Sequence, residues 1–401
     1  MHNRNRDRRP PHAPEIHRRH NARLASRPAL LHPARVRNNL SIFELTRVNY
    51  AAGALYAEIT NALLAKTGLK AEDIDVVAYD GQTIYQEPPD RDKMADFHNQ
   101  NQNKDESQSL VDRWTKASYA CGLFIAESGV VAALTNITTV TQFRPVDHAL
   151  GGSGAPLMQY LDFVAFRRQP GGGGPTVTLN IGGIANLQLA HRDRDRMLAF
   201  DTGPGNVMID HVMRVRCNAQ YDKDGEVAAR GTVLRDLLEQ LQEESRAFFG
   251  RSPPRSAWRL DFGSEYADRI LQANESALTE DLVATVTMFT AVSVERALVD
   301  FVLPRAEELG GLEPSRVIVS GGGTRNCTLV RFLRERLAAH GVDVCLSDEV
   351  GLPAAYKEAI KFATLGFAAK RGIANNIPKA SGAERFAVLG KMTLAPGVAR
   401  I

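Results

Sequence analysis

The stretch Leu198-Ala-Phe-Asp-Thr-Gly-Pro-Gly-Asn-Val-Met-Ile-Asp210 holds the side chain best placed for chemistry. An apolar run delivers Asp201 to the end of a predicted strand. Two glycines and a proline then turn the chain, and Asn206 is placed to cap the helix that Val207 begins. A carboxylate beside a Gly-rich turn and a helix N-terminus can meet a phosphate or take a proton. The same residues also suit a tight turn with Asp201 as a local cap. Other candidates lie in sequence contexts of the same kind. Asp80-Gly-Gln-Thr-Ile84 reads as a turn at the C-terminal end of a strand, where polar residues contact ligands in open α/β sheets, or as a plain β-turn. Arg144 and Asp147 precede Gly151-Gly-Ser-Gly-Ala-Pro156, an arrangement that binds sugar hydroxyls or an anion, or forms a surface ion pair beside a flexible loop. Gly321-Gly-Gly323 follows the apolar run Arg316-Val-Ile-Val-Ser320 and precedes a helix predicted from about Thr328. Strand, three glycines and helix make a nucleotide-binding turn, because backbone N–H groups can face a phosphate there. It is neither a Walker A loop nor a dinucleotide fingerprint. Tyr221-Asp-Lys-Asp-Gly225 has the start of a calcium loop without its later ligands, and reads as turn and capping chemistry. Glu358 sits on a helix predicted over 354–370, in line with Phe362 and Leu365, facing either solvent or a cleft.

The elements that must hold these groups alternate between the two periodicities. Leu45, Val48, Ala51, Leu55, Ile59 and Leu63 have helical spacing over 42–67, and Gly68 ends that helix. A strand is predicted over 74–79, a solvated polar loop over 86–112, a helix over 117–133 and a strand over 137–143. Residues 169–175, with four successive glycines, form a flexible connector. Strands over 176–181 and 184–189 flank a Gly182-Gly183 bend, and a charged turn at 191–196 leads to the strand that ends at Asp201. Helices are predicted over 233–241 and 280–308, an extended break over 252–256, and a last strand over 342–346.

A chain of 401 residues exceeds one ordinary core and points to two domains. Composition is 44% hydrophobic and 24% charged, with no run of about 18 apolar residues, which argues against a membrane partner. A net charge of +3 argues against nucleic acid as a partner. Residues 1–40 hold ten arginines against Asp7 and Glu15, with five prolines. Residues 1–41 therefore read as a disordered or non-native Arg/Pro-rich segment. An Arg-rich presequence is a further reading, although Pro10, Pro11 and Pro14 would break its helix. Cys121, Cys217, Cys327 and Cys345 are widely spaced and contain no CxxC, as expected of reduced, mostly buried thiols in a cytoplasmic protein.

Taken together, the motifs resemble the anhydro-N-acetylmuramic acid kinases and the related levoglucosan kinases. The resemblance rests on Gly81-Gln-Thr-Ile84, Phe143-Arg-Pro-Val-Asp147 with 151–156, and Leu179-Asn-Ile-Gly-Gly-Ile-Ala-Asn186. It continues through Phe200-Asp-Thr-Gly-Pro-Gly-Asn206, residues 221–225, and Gly321-Gly-Gly323 with Asn326. Gly351-Leu-Pro-Ala-Ala-Tyr-Lys-Glu358 with Phe362-Ala363, Asn376-Ile-Pro, Ser381-Gly-Ala383 and Val388-Leu-Gly390 complete it. It runs in order from about Phe43 to the C-terminus.

This resemblance implies an α/β, two-domain fold of the sugar kinase, actin and Hsp70 ATPase type, with an N-terminal lobe over 42–175 and a C-terminal lobe over 176–401. ATP would bind in the cleft, with Mg2+ bridging its phosphates and no metal ligand assigned among the residues. A small anhydro-sugar would be the partner, and a homodimer is compatible with it. The implied reaction is attack of water on the anomeric carbon while O6 takes the γ-phosphoryl group. By resemblance Asp201 is the general base and Glu358 a second acid near the sugar. Gln82, Thr83, Arg144, Asp147 and Gly154 match sugar-binding positions. Asn180, Gly182, Gly183, Gly203, Gly205, Asn206, Gly321, Gly322, Gly323 and Asn326 match the nucleotide turns.

Departures from the family pattern are a missing Gly-Thr-Ser-x-Asp-Gly phosphate loop before Phe43, Asp80 where His is usual, and Ser153 where Gln is usual. They carry an alternative expectation, a catalytically inactive sugar or nucleotide binder. An aspartic-protease reading of Asp201-Thr-Gly203 fails for a single chain, because that motif occurs once and such a site needs two carboxylates.

Overall fold

The computed structural model describes residues 41–90, 92–96, 109–167, 175–257, 259–305, 308 and 314–398. The expectations for residues 1–40, for 169–174 of the glycine connector and for 91 and 97–108 of the polar loop lie outside them.

The chain opens with helix α1 (Ile42–Thr67), started by a reciprocal Ser41–Glu44 capping box and stopped by Gly68 in the left-handed region. Its buried face is not the expected apolar stripe. Ala52, Gly53 and Ala57 are buried, whereas Ile59 and Leu63 are 49% and 59% exposed. The small residues let α1 lie close against α2 (Ser128–Thr135), and among the described residues nothing covers the larger side chains. The strand expected over 74–79 shrinks to β1 (Val77–Ala78). It pairs in parallel with β4 (Thr139–Thr141), and β10 (Lys391–Thr393) pairs antiparallel on the other side of β4. The end of the chain thus returns to the first lobe rather than remaining in the second.

Two further expectations change in this lobe. Gln82 and Thr83 do not form a turn. They begin β2 (Gln82–Glu87), which pairs antiparallel with β3 (Cys121–Ile125). The helix expected over 117–133 divides into β3 and α2, because Cys121-Gly-Leu-Phe-Ile125 finds a strand partner and Glu127 caps α2 through the Gly129 N–H.

The second lobe is a five-stranded mixed sheet, ordered β7 (Leu198–Pro204), β6 (Ile184–Ala190), β5 (Thr176–Ile181), β8 (Arg316–Ser320) and β9 (Asp343–Leu346). β5–β6 and β6–β7 are antiparallel, while β5–β8 and β8–β9 are parallel. Alternation along the strands separates its two faces. Val177, Leu179, Ile181, Leu187 and Phe200 pack with Ala291, Val294 and Leu298 of α8 (Thr279–Phe301) and with Leu329 and Leu333 of α9 (Cys327–Ala338). Helix α8 is long and apolar enough to cross a membrane, but 78% of its most apolar window is buried in this core. A second cluster joins α5 (Val207–Cys217), α6 (Arg235–Glu244) and α7 (Ser264–Ala273) to the start of α8.

The other face of the sheet carries Thr178, Asn180, Asn186 and Gln188 and looks toward the first lobe. Here Ala190 and Ala199 share a core with Val140, Phe143, Tyr160 and Leu365. The chain crosses between the lobes on α4 (Met158–Phe166) and on α10 (Lys357–Lys370). Helix α4 packs on β6, and α10 packs on β1 and β4. The cysteines contradict the expectation of burial: all four are free, Cys217 and Cys327 exposed, Cys121 and Cys345 half-buried.

Candidate active site

Four turns converge at one edge of the five-stranded sheet. The Gly182-Gly183 bend between β5 and β6 meets the turn that ends β7. Gly205 N–H donates to the Gly183 carbonyl (2.8 Å) and Asn206 N–H to the Gly182 carbonyl (2.8 Å). A Cβ at Gly205 would lie 2.4 Å from the Gly182 carbonyl oxygen, so only glycine permits this crossing. The Asn206 side chain does not cap α5, contrary to the expectation from its position. It donates instead to the Gly182 carbonyl (2.8 Å), which fastens the two turns together. The third turn leaves β8 at Gly321, whose φ of 89° and close approach to the Ile181 carbonyl (2.6 Å for a Cβ) exclude other residues. Gly323 packs on Ile181 and beside Asn206.

The fourth turn closes around Asn326. It is buried, caps α9 through the Leu329 N–H (2.9 Å), and lies against Gly225, whose carbonyl accepts from Thr328 Oγ1 (2.8 Å). Gly183 and Gly322 remain exposed, with open space where a side chain would stand at Gly183 and only Asn206 Nδ2, at 4.0 Å, near a Cβ at Gly322. The exposed glycine backbone and the N-terminus of α5 can therefore receive a nucleotide's phosphates. Among the described residues no three His, Cys, Asp or Glu side chains cluster to hold a metal.

Asp201 does not end its strand, because β7 runs on to Pro204 against β6 and Asp201 sits opposite Asn186. Its outer edge is covered by the segment after Pro253-Pro254. Asp201 N–H donates to the Arg255 carbonyl (3.0 Å), and Ala257 N–H donates to Asp201 Oδ2 (2.7 Å). Burial lifts the carboxyl from 3.8 to about 6, against the pull of the Ala257 N–H and of Arg255. Arg255 itself is buried. It donates to the carbonyls of Asp201 (2.9 Å) and Phe249 (2.7 Å) and lies over the Phe200, Phe248 and Phe301 rings. Burial lowers its guanidinium to about 10. The result is a carboxylate fixed in direction and poised to exchange a proton near neutrality.

Arg144 and Asp147 lie together in the short helix α3 (Arg144–Ala149), between the β4 strand and the glycine loop, but make different contacts. Arg144 is partly exposed, its Nε donating to Asp80 Oδ2 (2.6 Å), its Nη1 to the Gly154 carbonyl (3.0 Å), and its guanidinium over the Phe124 ring. Asp147 is 1% exposed and already satisfied by Gly154 N–H (2.8 Å) and Ser381 Oγ (2.8 Å). Its visible role is to shape the glycine loop. Gly154 presses on the buried His148 ring, where a Cβ would come within 2.1 Å of Nε2. Gln82 and Thr83 are exposed at the start of β2, just after Asp80 and Gly81. Glu358 is two-thirds exposed and ion-paired with the buried Lys361. Lys361 is held below its ordinary range by burial, with the charges of Glu358, Arg144 and Asp80 all acting on it. Asp80, Arg144, Lys361 and Glu358 thus form one charged patch. Asn180 reaches the Gly321 turn through Ser320, whose Oγ lies 3.5 Å from Asn180 Oδ1.

Sequence reasoning passed over Lys361, Arg255 and the buried pair Asp162–Lys357. The signals present were a lone acid inside the apolar run Met158-Gln-Tyr-Leu-Asp-Phe-Val-Ala-Phe166, a basic neighbour of Glu358, and an arginine after two prolines.

The model of the family described as anhydro-N-acetylmuramic acid kinase matches residues 107–395. An anhydro-N-acetylmuramic acid kinase of Caldanaerobacter subterraneus subsp. tengcongensis is 36% identical over 361 residues, covering 88% of this chain and 82% of the relative. One of Bacillus cereus is 31% identical over 363 residues, covering 89% and 85%. Among solved structures, the activator of the 2-hydroxyisocaproyl-CoA dehydratase from Clostridium difficile with bound ADPNP aligns at 15% identity and a TM-score of 0.32, over 53% of this chain and 65% of that one. With the family model spanning most of its length and relatives of this identity covering nearly nine-tenths of it, the chain belongs to the anhydro-N-acetylmuramic acid kinase family.

Proposed function

We propose that the protein is an ATP-dependent carbohydrate kinase that opens a 1,6-anhydro sugar with water and phosphorylates O6. Asp201 Oδ takes a proton from the attacking water as the water oxygen bonds to C1. The C1–O6 bond breaks, O6 takes the γ-phosphoryl group, and ADP leaves. The observation that carries this reading is the state of Asp201: a carboxylate oriented by the Ala257 N–H and titrating at about 6, on the strand whose end forms the glycine turns. A base with that affinity is largely unprotonated at neutral pH yet still able to accept a proton. Gly205 follows four positions later, roughly 13 Å along extended chain. A phosphate seated on the turns would then lie within reach of a sugar held beside Asp201.

The glycine turns and the α5 N-terminus receive ATP, and Mg2+ arrives as part of MgATP, where it neutralises charge on the phosphates. Arg144, Gln82, Thr83 and Glu358 face the sugar, with Asp147 and Gly154 holding the loop behind Arg144. The choice of 1,6-anhydro sugar, carboxylate-bearing anhydro-N-acetylmuramic acid or uncharged levoglucosan, falls to the charged patch around Arg144.

The test is incubation with MgATP and each sugar in H2¹⁸O. ADP formation that depends on sugar, with ¹⁸O at C1 and phosphate on O6, is expected. Label in the phosphate would show water attacking the γ-phosphorus instead of C1 and overturn this reading, and no sugar-dependent ADP with either sugar while calorimetry records ATP binding would replace it by that of an inactive binder.

A further inference from the structure

Asp162 and Lys357 form an ion pair (3.3 Å) with side-chain exposures of 0% and 2%. Complete burial pushes the Asp162 carboxyl above the usual range, and the Lys357 charge beside it pulls it back. Such a pair gives weak stability, because removing two charges from water offsets their attraction. Its position gives it another role. Asp162 lies on α4, the outgoing crossing between lobes, which rests on the five-stranded sheet. Lys357 begins α10, the returning crossing, whose body rests on the first lobe: Gly366 abuts Ala78 of β1, and Leu365 joins the core around Val140. The two helices also share Met158, Leu161 and Ile360 in one small apolar cluster.

From this joint, polar contacts run in two directions along the interlobe face of the sheet. Lys357 Nζ donates to Ser320 Oγ (2.9 Å), the residue immediately before Gly321. Thr178 Oγ1 lies 2.9 Å from Asp162 Oδ2 and 2.8 Å from Gln188 Oε1, and Gln188 Nε2 donates to Asn186 Oδ1 (2.6 Å). Asn186 sits opposite Asp201 in the β6–β7 pairing. On the other side Lys357 is followed directly by Glu358. One buried pair thus adjoins the nucleotide turn, the strand partner of Asp201 and the acid of the sugar side.

We propose that the Asp162–Lys357 pair is the joint that couples the lobes, keeping the Gly321 turn and Glu358 in fixed relation as the cleft closes. Both are positioning residues, and the inference rests on the kinase reading above for its activity readout. A hydrophobic contact would hold α4 to α10 at many small offsets. A charge pair with Ser320 and Thr178 around it holds one, and an offset of about 1 Å at reacting groups can lower turnover about 10²-fold.

The test compares wild type, Lys357→Met and Lys357→Met/Asp162→Leu. The double variant leaves no new orphan, since Thr178 keeps Gln188 and Ser320 keeps the Leu179 carbonyl (3.3 Å). It is expected to melt near wild type, and above the single variant, which strands Asp162. It should bind ATP within about 3-fold of wild type and keep its sugar KM within the same range, while kcat falls about 10²-fold. Wild-type kcat in the double variant overturns the proposal, as does a loss carried wholly by weaker ATP binding. Should the wild type show no sugar-dependent ADP, the kinase reading fails by itself, and compaction on ATP binding is then measured by small-angle scattering. Compaction that the double variant lacks supports the joint, and equal compaction, or none in either protein, overturns it.

Discussion

Replacing Asp201 by Asn should slow the enzyme and stabilise it, and the two effects should depend on pH in a linked way. The carboxyl titrates at about 6 in the folded chain and at 3.8 when free. A folded value above the unfolded one means that the native state binds the proton more tightly. The resulting stability is complete below pH 4 and is lost as pH rises through 6. Two pH units correspond to about 3 kcal/mol, the free energy the wild type gives up above that window by holding a buried carboxylate. The Asn side chain still accepts from the Ala257 N–H and carries no charge to desolvate. Urea unfolding at pH 7.5 should therefore show Asp201→Asn more stable than wild type by up to about 3 kcal/mol, and the gap should close by pH 4. Turnover should fall about 10²- to 10⁴-fold, the range for removing a general base, with sugar binding retained. In the wild type kcat/KM should rise tenfold per pH unit below 6 and flatten above it. A variant that is less stable at pH 7.5, or equally displaced at both pH values, would show that Asp201 is not a buried, proton-poised carboxylate. Near-normal turnover would remove it from the reaction.

Gly321→Ala forces a Cβ into the Ile181 carbonyl at a φ of 89°. The KM for ATP should rise by roughly tenfold or more while the sugar KM stays within about twofold, and equal changes in both would detach this turn from the nucleotide. Asp80→Asn leaves Arg144 without its carboxylate, so the ratio of kcat/KM for a carboxylate-bearing anhydro sugar over an uncharged one should rise about tenfold. An unchanged ratio in competition assays would place Arg144 away from the sugar. Phe289→Ala, at a fully buried ring packed against Phe249 and Phe262, should lower unfolding stability by about 3–5 kcal/mol. A loss under about 1 kcal/mol in denaturant titration would contradict its place in the core.

Legibility in the sequence depends on which forces are local. β5 and β8 match the predicted bounds, because an apolar run closed by glycines admits only a short buried strand. The glycine turns are legible for the same reason: where backbone must cross backbone, the residue type is dictated. Edges set by partners are not legible. β7 outruns Asp201 because Gly203 and Pro204 still pair with β6, and α1 turns its small residues inward because α2 needs a close approach.

The site divides in the same way. Turn-borne members, such as Gly183 and Gly322, announce themselves by type and spacing, whereas type and spacing leave Glu358 open between solvent and a cleft. Members whose chemistry comes from burial do not, since nothing in Met158-Gln-Tyr-Leu-Asp162 says that the acid will meet a lysine 195 residues later. Yet the sheet does carry one trace of it. Thr178, Asn180, Asn186 and Gln188 alternate with Leu179, Ile181 and Leu187, so one face of an interior sheet is polar. Polar side chains on a buried face need partners, and here Thr178 finds one on α4, at Asp162, while Asn180, Asn186 and Gln188 bond within the sheet. A periodic polar face opposite an apolar one, in strands too short and too enclosed to be solvent-facing, is therefore the sequence mark of a cleft wall. It identifies the side of the sheet on which a buried acid or base elsewhere in the chain should be sought.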